Sequence, residues 1–295
     1  MARRPLATGL LVFILLAVAF FLGTYLTAWF IESPPSGSGQ IALVRIEGVI
    51  MDADEPVEQL RTFAENPAIK AILIRIDSPG GAVVPSQEIY DEVKKIRAAG
   101  KQKVVVSMGT IAASGGYYIA SASDRIVANP GSLTGSIGVI MELPNVEGLM
   151  KKIGVASTVI KSGAHKDLIS PFRKMGEEER QILQRVMDDV HDQFIQAVSD
   201  GRGLEKATVT ALADGQVFTG RQAKAKGLVD ELGSFEDAIA LTGELAGIVG
   251  RPTVVEPKRR FSLTEWLSSE FRGRIGAWAN PAAPSIRLNY LWTWG

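Results

Sequence analysis

The chain has 295 residues, 46% of them hydrophobic and 22% charged, and its 32 basic side chains balance 32 acidic ones. This balance gives no electrostatic footprint of nucleic-acid binding, and the absence of cysteine excludes disulfides, thiol catalysis and cysteine-bound metal. The two histidines, His165 and His191, are too few to favour a metal site or a Ser-His-Asp triad. We expect no cofactor, and if the chain is a hydrolase we expect a base other than histidine.

The N-terminus is predicted to cross a membrane. Residues 6–31 carry no charge, and as a helix they would extend about 39 Å, enough for a hydrocarbon core of about 30 Å. Arg3 and Arg4 favour a cytoplasmic N-terminus, and Tyr25 and Trp29 suit the far interface. A cleaved secretion signal is the alternative. In either case the remaining chain is expected outside the cytoplasmic membrane, as a periplasmic or extracellular domain.

The sequence divides into four parts. Residues 1–32 are the predicted cytoplasmic N-terminus and anchor, and residues 33–40 are a linker rich in serine, proline and glycine. Residues 41–250 form the predicted domain. Residues 251–295 are a tail with four tryptophans, predicted as an arm that packs on its own domain or on a neighbouring copy, with contact to the membrane interface as the alternative.

Hydrophobic patterning predicts alternating strands and helices in the domain. Strands are expected at residues 41–46, 71–76, 104–108, 125–128, 137–141 and 157–161, and helices at 56–65, 86–99, 114–122, 146–153, 176–199, 205–213, 220–226 and 235–246. This order predicts an α/β fold with a mainly parallel sheet covered by helices. Ligands of such sheets bind at the carboxyl ends of strands, where residues 77–81 and 109–114 form glycine-rich turns.

Ser114 stands at one of these turns, between a strand and a short helix of small and aromatic residues. Ala112, Ala113, Gly115 and Gly116 leave room beside it for a substrate backbone. A serine nucleophile needs this setting, although the same pattern suits a serine that caps a tightly packed helix. A base is then sought in the irregular loop 161–173, which contains Lys161 and Lys166.

Four segments together resemble one family. They are residues 112–118 (Ala-Ala-Ser-Gly-Gly-Tyr-Tyr), 77–81 (Asp-Ser-Pro-Gly-Gly), 133–139 (Leu-Thr-Gly-Ser-Ile-Gly-Val) and 162–171, in which Ser-Gly, Lys-Asp and Ser-Pro recur at the family's spacing. In this order they are similar to the S49 family of membrane-bound serine proteases, the signal peptide peptidase A type in its short form, from about residue 41 to about residue 246.

The resemblance implies a ClpP/crotonase-like fold and a Ser/Lys dyad. Ser114 would be the nucleophile, Lys166 the general base, and Ser136 the hydroxyl that orients the base; Ser136 could otherwise be an ordinary turn serine. The backbone N–H groups of Gly81 and Gly115 would form the oxyanion hole. A lysine acts as a base only when it is desolvated and not paired with a carboxylate, so Asp167 is expected to point away from Lys166, toward Arg173.

The function implied is a membrane-anchored serine endopeptidase that degrades released signal peptides, without metal or ATP. A groove lined by Val83 and Ile111 would take extended, apolar peptides, and the chain is expected to assemble with further copies of itself into a ring or dome. Three alternatives remain open: envelope protein quality control or processing of a specific membrane protein by the same chemistry, a crotonase-type acyl-CoA enzyme, and a non-catalytic scaffold.

Overall fold

The computed structural model of the chain describes residues 14–24, 39–257 and 289–291. Residues 14–24 form a helix, α1, and are the described part of the predicted anchor; Tyr25, Trp29 and most of the linker lie outside the described residues. So do the four tryptophans of the predicted tail. No helix within the described ranges combines the length and the apolar composition that crossing a membrane requires.

Strands and helices alternate along the domain. The strands of the described residues are β1 (Gln40–Glu47), β2 (Ile69–Ser78), β3 (Gly80–Ala82), β4 (Lys103–Ala113), β5 (Arg125–Ala128), β6 (Leu133–Gly135), β7 (Val217–Thr219), β8 (Glu231–Leu232), β9 (Thr253–Val255) and β10 (Asn289–Leu291). The helices that follow α1 are α2 (Asp54–Glu65), α3 (Val83–Ala99), α4 (Gly115–Ser121), α5 (Glu147–Lys152), α6 (Glu177–Arg202), α7 (Lys206–Leu212), α8 (Gly220–Ala225) and α9 (Phe235–Leu245).

The main sheet has the order β7-β6-β4-β2-β1-β9, and β5 and β8 extend it from the first half of β4. All pairs in it are parallel except β6–β7. β4 is long enough to pair with β5 through residues 105–107 and with β6 through residues 111–113. The predicted α/β fold with a mainly parallel sheet is therefore confirmed, and its longest strand ends directly at Ser114.

Helices cover both faces of this sheet, which explains the continuous apolar runs of its central strands. In β1, Ala42, Val44 and Ile46 face the larger core, which also contains residues of α2, α3, α4 and α6. The alternate residues Ile41 and Leu43 pack against α9 on the opposite face. Since successive side chains of a strand point to opposite faces, a strand buried on both sides must be apolar throughout.

A second, two-stranded sheet lies beside the first. β3 follows the turn after β2, and β10 pairs with it in antiparallel orientation. The pairing of residues 289–291 was not predicted from the sequence. It brings a short piece of the tail onto the domain at the glycine-rich turn.

Two predicted strands are not formed. Residues 137–141 lie outside any strand, since β6 ends at Gly135, where positive φ angles at Gly135 and Ser136 turn the chain away. Residues 157–161 have the composition of a strand but pair with no described neighbour, and Ile160 is 98% exposed. A strand requires a partner for its backbone groups, which local sequence alone does not supply.

The long helix α6 attaches to the core through its C-terminal half. Phe194 is fully buried and packs edge-on against the ring of Tyr118, whereas Val186, two turns earlier, is 41% exposed. The predicted apolar face of this helix therefore contacts the core over only part of its length.

We predict that Phe194→Ala lowers the free energy of unfolding by about 3–5 kcal/mol, because it removes a fully buried ring and leaves a cavity between α4 and α6. The measurement is urea denaturation of the full chain. Val186→Ala is the control and should change stability by no more than about 0.5 kcal/mol. Equal effects of the two substitutions would contradict the described packing of α6.

Candidate active site

Ser114 occupies the turn between β4 and α4. Its side chain is buried, and its backbone has φ 55° and ψ −118°, a positive φ that residues other than glycine rarely adopt. Its N–H donates to the Gly135 carbonyl at 2.8 Å, and its carbonyl accepts from Tyr118 N–H at 2.8 Å. Ser114 stands at the N-cap position of α4, as the alternative interpretation expects, but its hydroxyl makes no capping hydrogen bond to the helix.

Asp77 holds the segment that leads to Ser114. Its carboxylate accepts a hydrogen bond from the Ile111 N–H at 3.2 Å. A Cβ at Gly109 would come within 2.6 Å of the Asp77 carboxyl carbon, so glycine allows β4 to pass close to this side chain. Asp77, near the end of β2, thus fixes the last residues of β4, which lead to the candidate nucleophile.

Gly81 and Gly115 meet beside Ser114. A Cβ at Gly115 would lie 3.3 Å from both the Gly80 Cα and the Gly81 nitrogen, so the two backbone segments are in close contact. A Cβ at Gly81 would come within 2.0 Å of the Ile50 carbonyl oxygen, which no side chain at this position could tolerate without backbone movement. The structure therefore brings together the two glycines of the predicted oxyanion hole. Close packing is the physical reason why both positions are glycine.

Ser136 is placed next to Ser114 by the sheet. β6 pairs with the last three residues of β4, so that Gly135 lies opposite Ala113, and the residue that follows each strand is a serine. Ser136 is buried, has φ 50°, and donates its N–H to the Gln216 carbonyl at 2.8 Å. A cavity of about 390 Å³ opens beside it, lined in part by Asp188, His191 and Asp214.

Lys166 lies elsewhere, on an exposed loop. Its N–H donates to the Gly163 carbonyl at 3.3 Å, and its side chain forms no hydrogen bond or ion pair with any residue in the described ranges. The fold of one chain thus brings Ser114, Ser136, Gly81 and Gly115 together but forms no hydrogen bond from Lys166 to either serine.

The neighbouring carboxylate is directed away from Lys166, as predicted. Asp167 accepts from Arg173 Nε at 3.0 Å and from Lys161 Nζ at 2.5 Å. These hydrogen bonds, that of Arg173 first, hold the pKa of Asp167 well below its usual range. Lys161 also donates to the Ala164 carbonyl at 2.8 Å, so the rival base is already engaged as a hydrogen-bond donor.

The predicted groove residues have different settings. Ile111 is partly exposed, whereas Val83 is buried in the larger core. Its neighbour Val84 is 60% exposed and lies at the start of α3, directly after β3. In the described part of the chain, no group of three or more His, Asp or Glu side chains is arranged to hold a metal ion.

Sequence reasoning missed three features of this site. The Asp77 contact to Ile111, the anchoring of Arg173 by Glu179 and the strand β10 were not foreseen. An aspartate at the end of an apolar strand was the sequence signal for the Asp77 contact. A carboxylate in the first turn of a helix, three residues after Gly176, was the signal for the Glu179 contact.

The fold is of the ClpP-like class, and comparison with known proteins identifies a serine peptidase. Residues 95–249 match the model of peptidase family S49, and residues 44–132 match that of Clp protease. A Synechocystis sp. protein named as a protease is 45% identical over 225 residues, covering 74% of this chain and 80% of its own length. The chain belongs to peptidase family S49 and is a serine peptidase of the signal peptide peptidase A type.

Two further relatives have names of the same kind. An Enterococcus faecium protein named as a signal peptide peptidase is 36% identical over 252 residues, which cover 81% of this chain and 72% of that protein. Protease 4 of Salmonella typhi is 40% identical over 225 residues, 73% of this chain but only 36% of the longer relative. This membership removes the crotonase-type acyl-CoA enzyme as an interpretation.

We predict that Glu179→Gln destabilises the loop and the start of α6 at neutral pH. Hydrogen bonds from Arg173 and from the Gly176 N–H lower the pKa of Glu179 to about 2, below its ordinary value of 4.5. A carboxylate with a lowered folded pKa stabilises the fold above pH 4.5, and this stabilisation is lost as the pH falls through about 2.

The test is thermal unfolding of the two forms between pH 2 and pH 7. The melting temperature of Glu179→Gln should be lower at pH 7, and the difference should shrink between pH 4.5 and pH 2. Glu177→Gln is the control and should show no such trend, because this carboxylate is exposed and accepts a hydrogen bond from the neutral Gln181 amide. A constant difference at all pH values would contradict this assignment.

Proposed function

We propose that Ser114 is the nucleophile of a peptide-hydrolysing site. The observation that carries this proposal is a buried serine held at a positive φ angle, whose hydroxyl does not cap the helix that follows. Strained backbone of this kind is kept where the surrounding structure demands it, often at catalytic positions. The close packing of Gly81 and Gly115 supports the same role for this turn.

Peptide cleavage then proceeds by acyl transfer. The Ser114 Oγ attacks the scissile carbonyl carbon while its proton passes to the Lys166 amine. The carbonyl oxygen becomes negative in the tetrahedral intermediate and is stabilised by the backbone N–H groups of Gly81 and Gly115. Lys166 gives the proton to the leaving amine. It then takes a proton from water, whose oxygen attacks the acyl carbon, and returns this proton to the Ser114 Oγ as the new carboxyl product is released. Ser136 orients the amine.

As a base, Lys166 needs an environment that the described residues of one chain do not supply. An amine in water has a pKa of about 10.4 and is protonated at neutral pH, so a working lysine base must be desolvated without a paired carboxylate. Asp167 pairs with Arg173 and Lys161, which supports the absence of a carboxylate paired with Lys166. Desolvation of Lys166 requires a surface that covers the exposed loop.

A second copy of the chain is the proposed source of that surface. The segment between β6 and α6 exposes large apolar side chains, a composition typical of interaction surfaces: Leu149, Ile153, Val155, Val159, Ile160 and Phe172. We infer that the chain forms a homo-oligomer in which this segment packs against a neighbour. Lys166 of one copy then reaches Ser114 and Ser136 of the next.

The proposed substrate is an extended, apolar peptide. β3 is a short strand beside Ser114, and an extended peptide can add to its edge through main-chain hydrogen bonds. Three exposed apolar side chains lie beside this strand, either in sequence or through the pairing of Ile50 with Gly81: Val49, Met51 and Val84. They favour substrates with apolar side chains. With the name of the Enterococcus relative, these features support degradation of released signal peptides.

The anchor and the location belong to the same proposal. We propose that residues 6–31 hold the protease in the cytoplasmic membrane with the N-terminus inside, because Arg3 and Arg4 precede an uncharged apolar run. The domain then meets peptides outside the cytoplasm.

Main-chain recognition at β3 is tolerant of sequence, which favours processing of other envelope proteins as the second candidate function.

The dyad is tested with a leucine- and alanine-rich fluorogenic peptide on the full chain. Ser114→Ala and Lys166→Ala should each lose activity by at least about 1,000-fold, because each removes a group that takes part in proton transfer or bond formation. Lys161→Ala is the matched control and should remain active. Retention of activity in Lys166→Ala would overturn the assignment of the base.

The origin of the lysine is tested by mixing the two inactive variants after dissociation and reassembly. If neighbouring copies supply the two halves of each site, random mixing restores roughly a quarter of the wild-type activity, since half of the serines meet half of the lysines. A mixture that stays inactive, while wild-type chains recover under the same treatment, would contradict a site shared between copies.

A further inference from the structure

β4 contains an irregularity directly before the candidate nucleophile. It pairs regularly with β2 up to Met108, which lies opposite Ile76, but the next pairing joins Ala112 to Ser78. Three residues of β4 therefore stand opposite one residue of β2, and we call residues 109–111 the bulge. A bulge leaves its extra residues outside the ladder, and bulges are over-represented next to active sites, where they redirect a side chain.

The two extra residues preserve the side-chain alternation of β4. Met108 before the bulge and Ala112 after it both face the larger core, as an even insertion requires in a strand whose side chains alternate. The bulge therefore leaves the core packing intact and changes how far along the sheet the end of the strand stands. Since Ala112 pairs with Ser78, the bulge sets the position of Ser114 relative to the glycine-rich turn.

Charged side chains of β2 bind one side of this irregular segment. The Arg75 guanidinium donates to the Met108 carbonyl at 3.0 Å, and the Asp77 carboxylate accepts from the Ile111 N–H at 3.2 Å. These contacts reach backbone groups at both ends of the stretch in which the ladder between β2 and β4 is interrupted.

Buried hydroxyls bind the same segment from the side of β6. Ser132 Oγ donates to the Gly109 carbonyl at 2.6 Å, and Thr134 Oγ1 donates to the Ala112 carbonyl at 2.7 Å. Thr134 is fully buried and Ser132 is 3% exposed. Because regular pairing is interrupted here, side-chain hydrogen bonds take over the fixing of the backbone.

The Thr134 contact links the positions of the two candidate serines. Ala112 lies two residues before Ser114, and Thr134 lies two residues before Ser136. One buried hydrogen bond thus joins the two strands at the same distance from each serine. A shift of β4 at this point changes the placement of one serine relative to the other.

We propose that Ser132 and Thr134 are positioning residues for the reaction, whose hydroxyls fix the bulge and thereby align Ser114 with Ser136 and with the oxyanion donors. The proposal rests on the proposed function for the roles of the two serines, and on the bulge for the need of a fixing contact. Both hydroxyls act through the backbone of β4. A displacement of about 1 Å at a reacting group costs on the order of 100-fold in rate, so catalysis depends on these contacts.

Three substitutions in the full chain separate positioning from stability. Thr134→Val keeps the shape of the side chain and removes the hydroxyl, whereas Thr134→Ser keeps the hydroxyl. Thr242→Val is the matched control, because Thr242 is also fully buried and donates to the Ala238 carbonyl at 2.6 Å within α9, on the opposite face of the sheet. The two valine variants should lose similar stability in urea denaturation, since each loses one buried hydrogen bond.

For a fluorogenic peptide, Thr134→Val should lower kcat roughly 10- to 100-fold and change KM by less than about twofold, because alignment is lost while the peptide-binding edge is kept. Thr134→Ser should restore most of the kcat, and Thr242→Val should match the unmodified chain. An unchanged kcat in Thr134→Val, or an equal loss of kcat in both valine variants, would overturn the proposal. Ser132→Ala should show the same division between kcat and KM, and it decides the matter if Thr134→Val does not fold.

Hydrogen exchange gives a readout independent of catalysis. The Ser114 N–H donates to the Gly135 carbonyl at 2.8 Å and should be protected in the unmodified chain. It should exchange faster in Thr134→Val and at the unmodified rate in Thr242→Val. If Ser114→Ala still cleaves the peptide, the proposed function fails. Faster exchange in Thr134→Val would then still support the fixing of the bulge, and unchanged exchange would overturn it.

Discussion

The structure depends on the close approach of backbone segments around Gly81. The strand β3, the backbone of Ile50 and the first residue of α4 lie so near one another that side chains are excluded at Gly81 and Gly115. This contact places β3 beside Ser114 and leaves the N–H of Gly81 on the edge that faces away from Ile50. Since backbone donors need no charged side chain, the site combines a buried, apolar core with groups that can stabilise a developing negative charge.

The proposed nucleophile, Ser114, and the proposed base, Lys166, lie in different environments. Ser114 is buried and fixed by two backbone hydrogen bonds at the end of the longest strand, whereas Lys166 lies on an exposed loop that an ion-pair network of Asp167, Arg173 and Glu179 holds in shape. The network uses the carboxylate next to Lys166, and among the residues that the structure describes the amine has no partner of opposite charge. This division suits a base that becomes effective only when another surface removes it from water.

The central sheet was predictable because its strands are buried on both faces, which imposes the apolar runs of β1, β2 and β4 on the sequence. The candidate residues around Ser114 were predictable from the motif resemblance, and their close packing explains why residues 81 and 115 are glycine. The strand predicted at residues 157–161 was wrong because its residues find no partner in the described fold. The pairing of β10 with β3 could not be predicted, since three residues carry no periodic signal and their partner lies about two hundred positions away.

The most direct test of the account is the position at which a small fluorophosphonate labels the assembled full chain. Such a reagent reacts with an activated serine hydroxyl, loses fluoride and leaves a stable phosphonyl ester. We expect a single adduct, mapped by peptide mass to Ser114, that is absent in Ser114→Ala and still forms in Ser136→Ala. An adduct at another serine, or none in a folded and assembled chain, would contradict the assignment of Ser114 as the nucleophile.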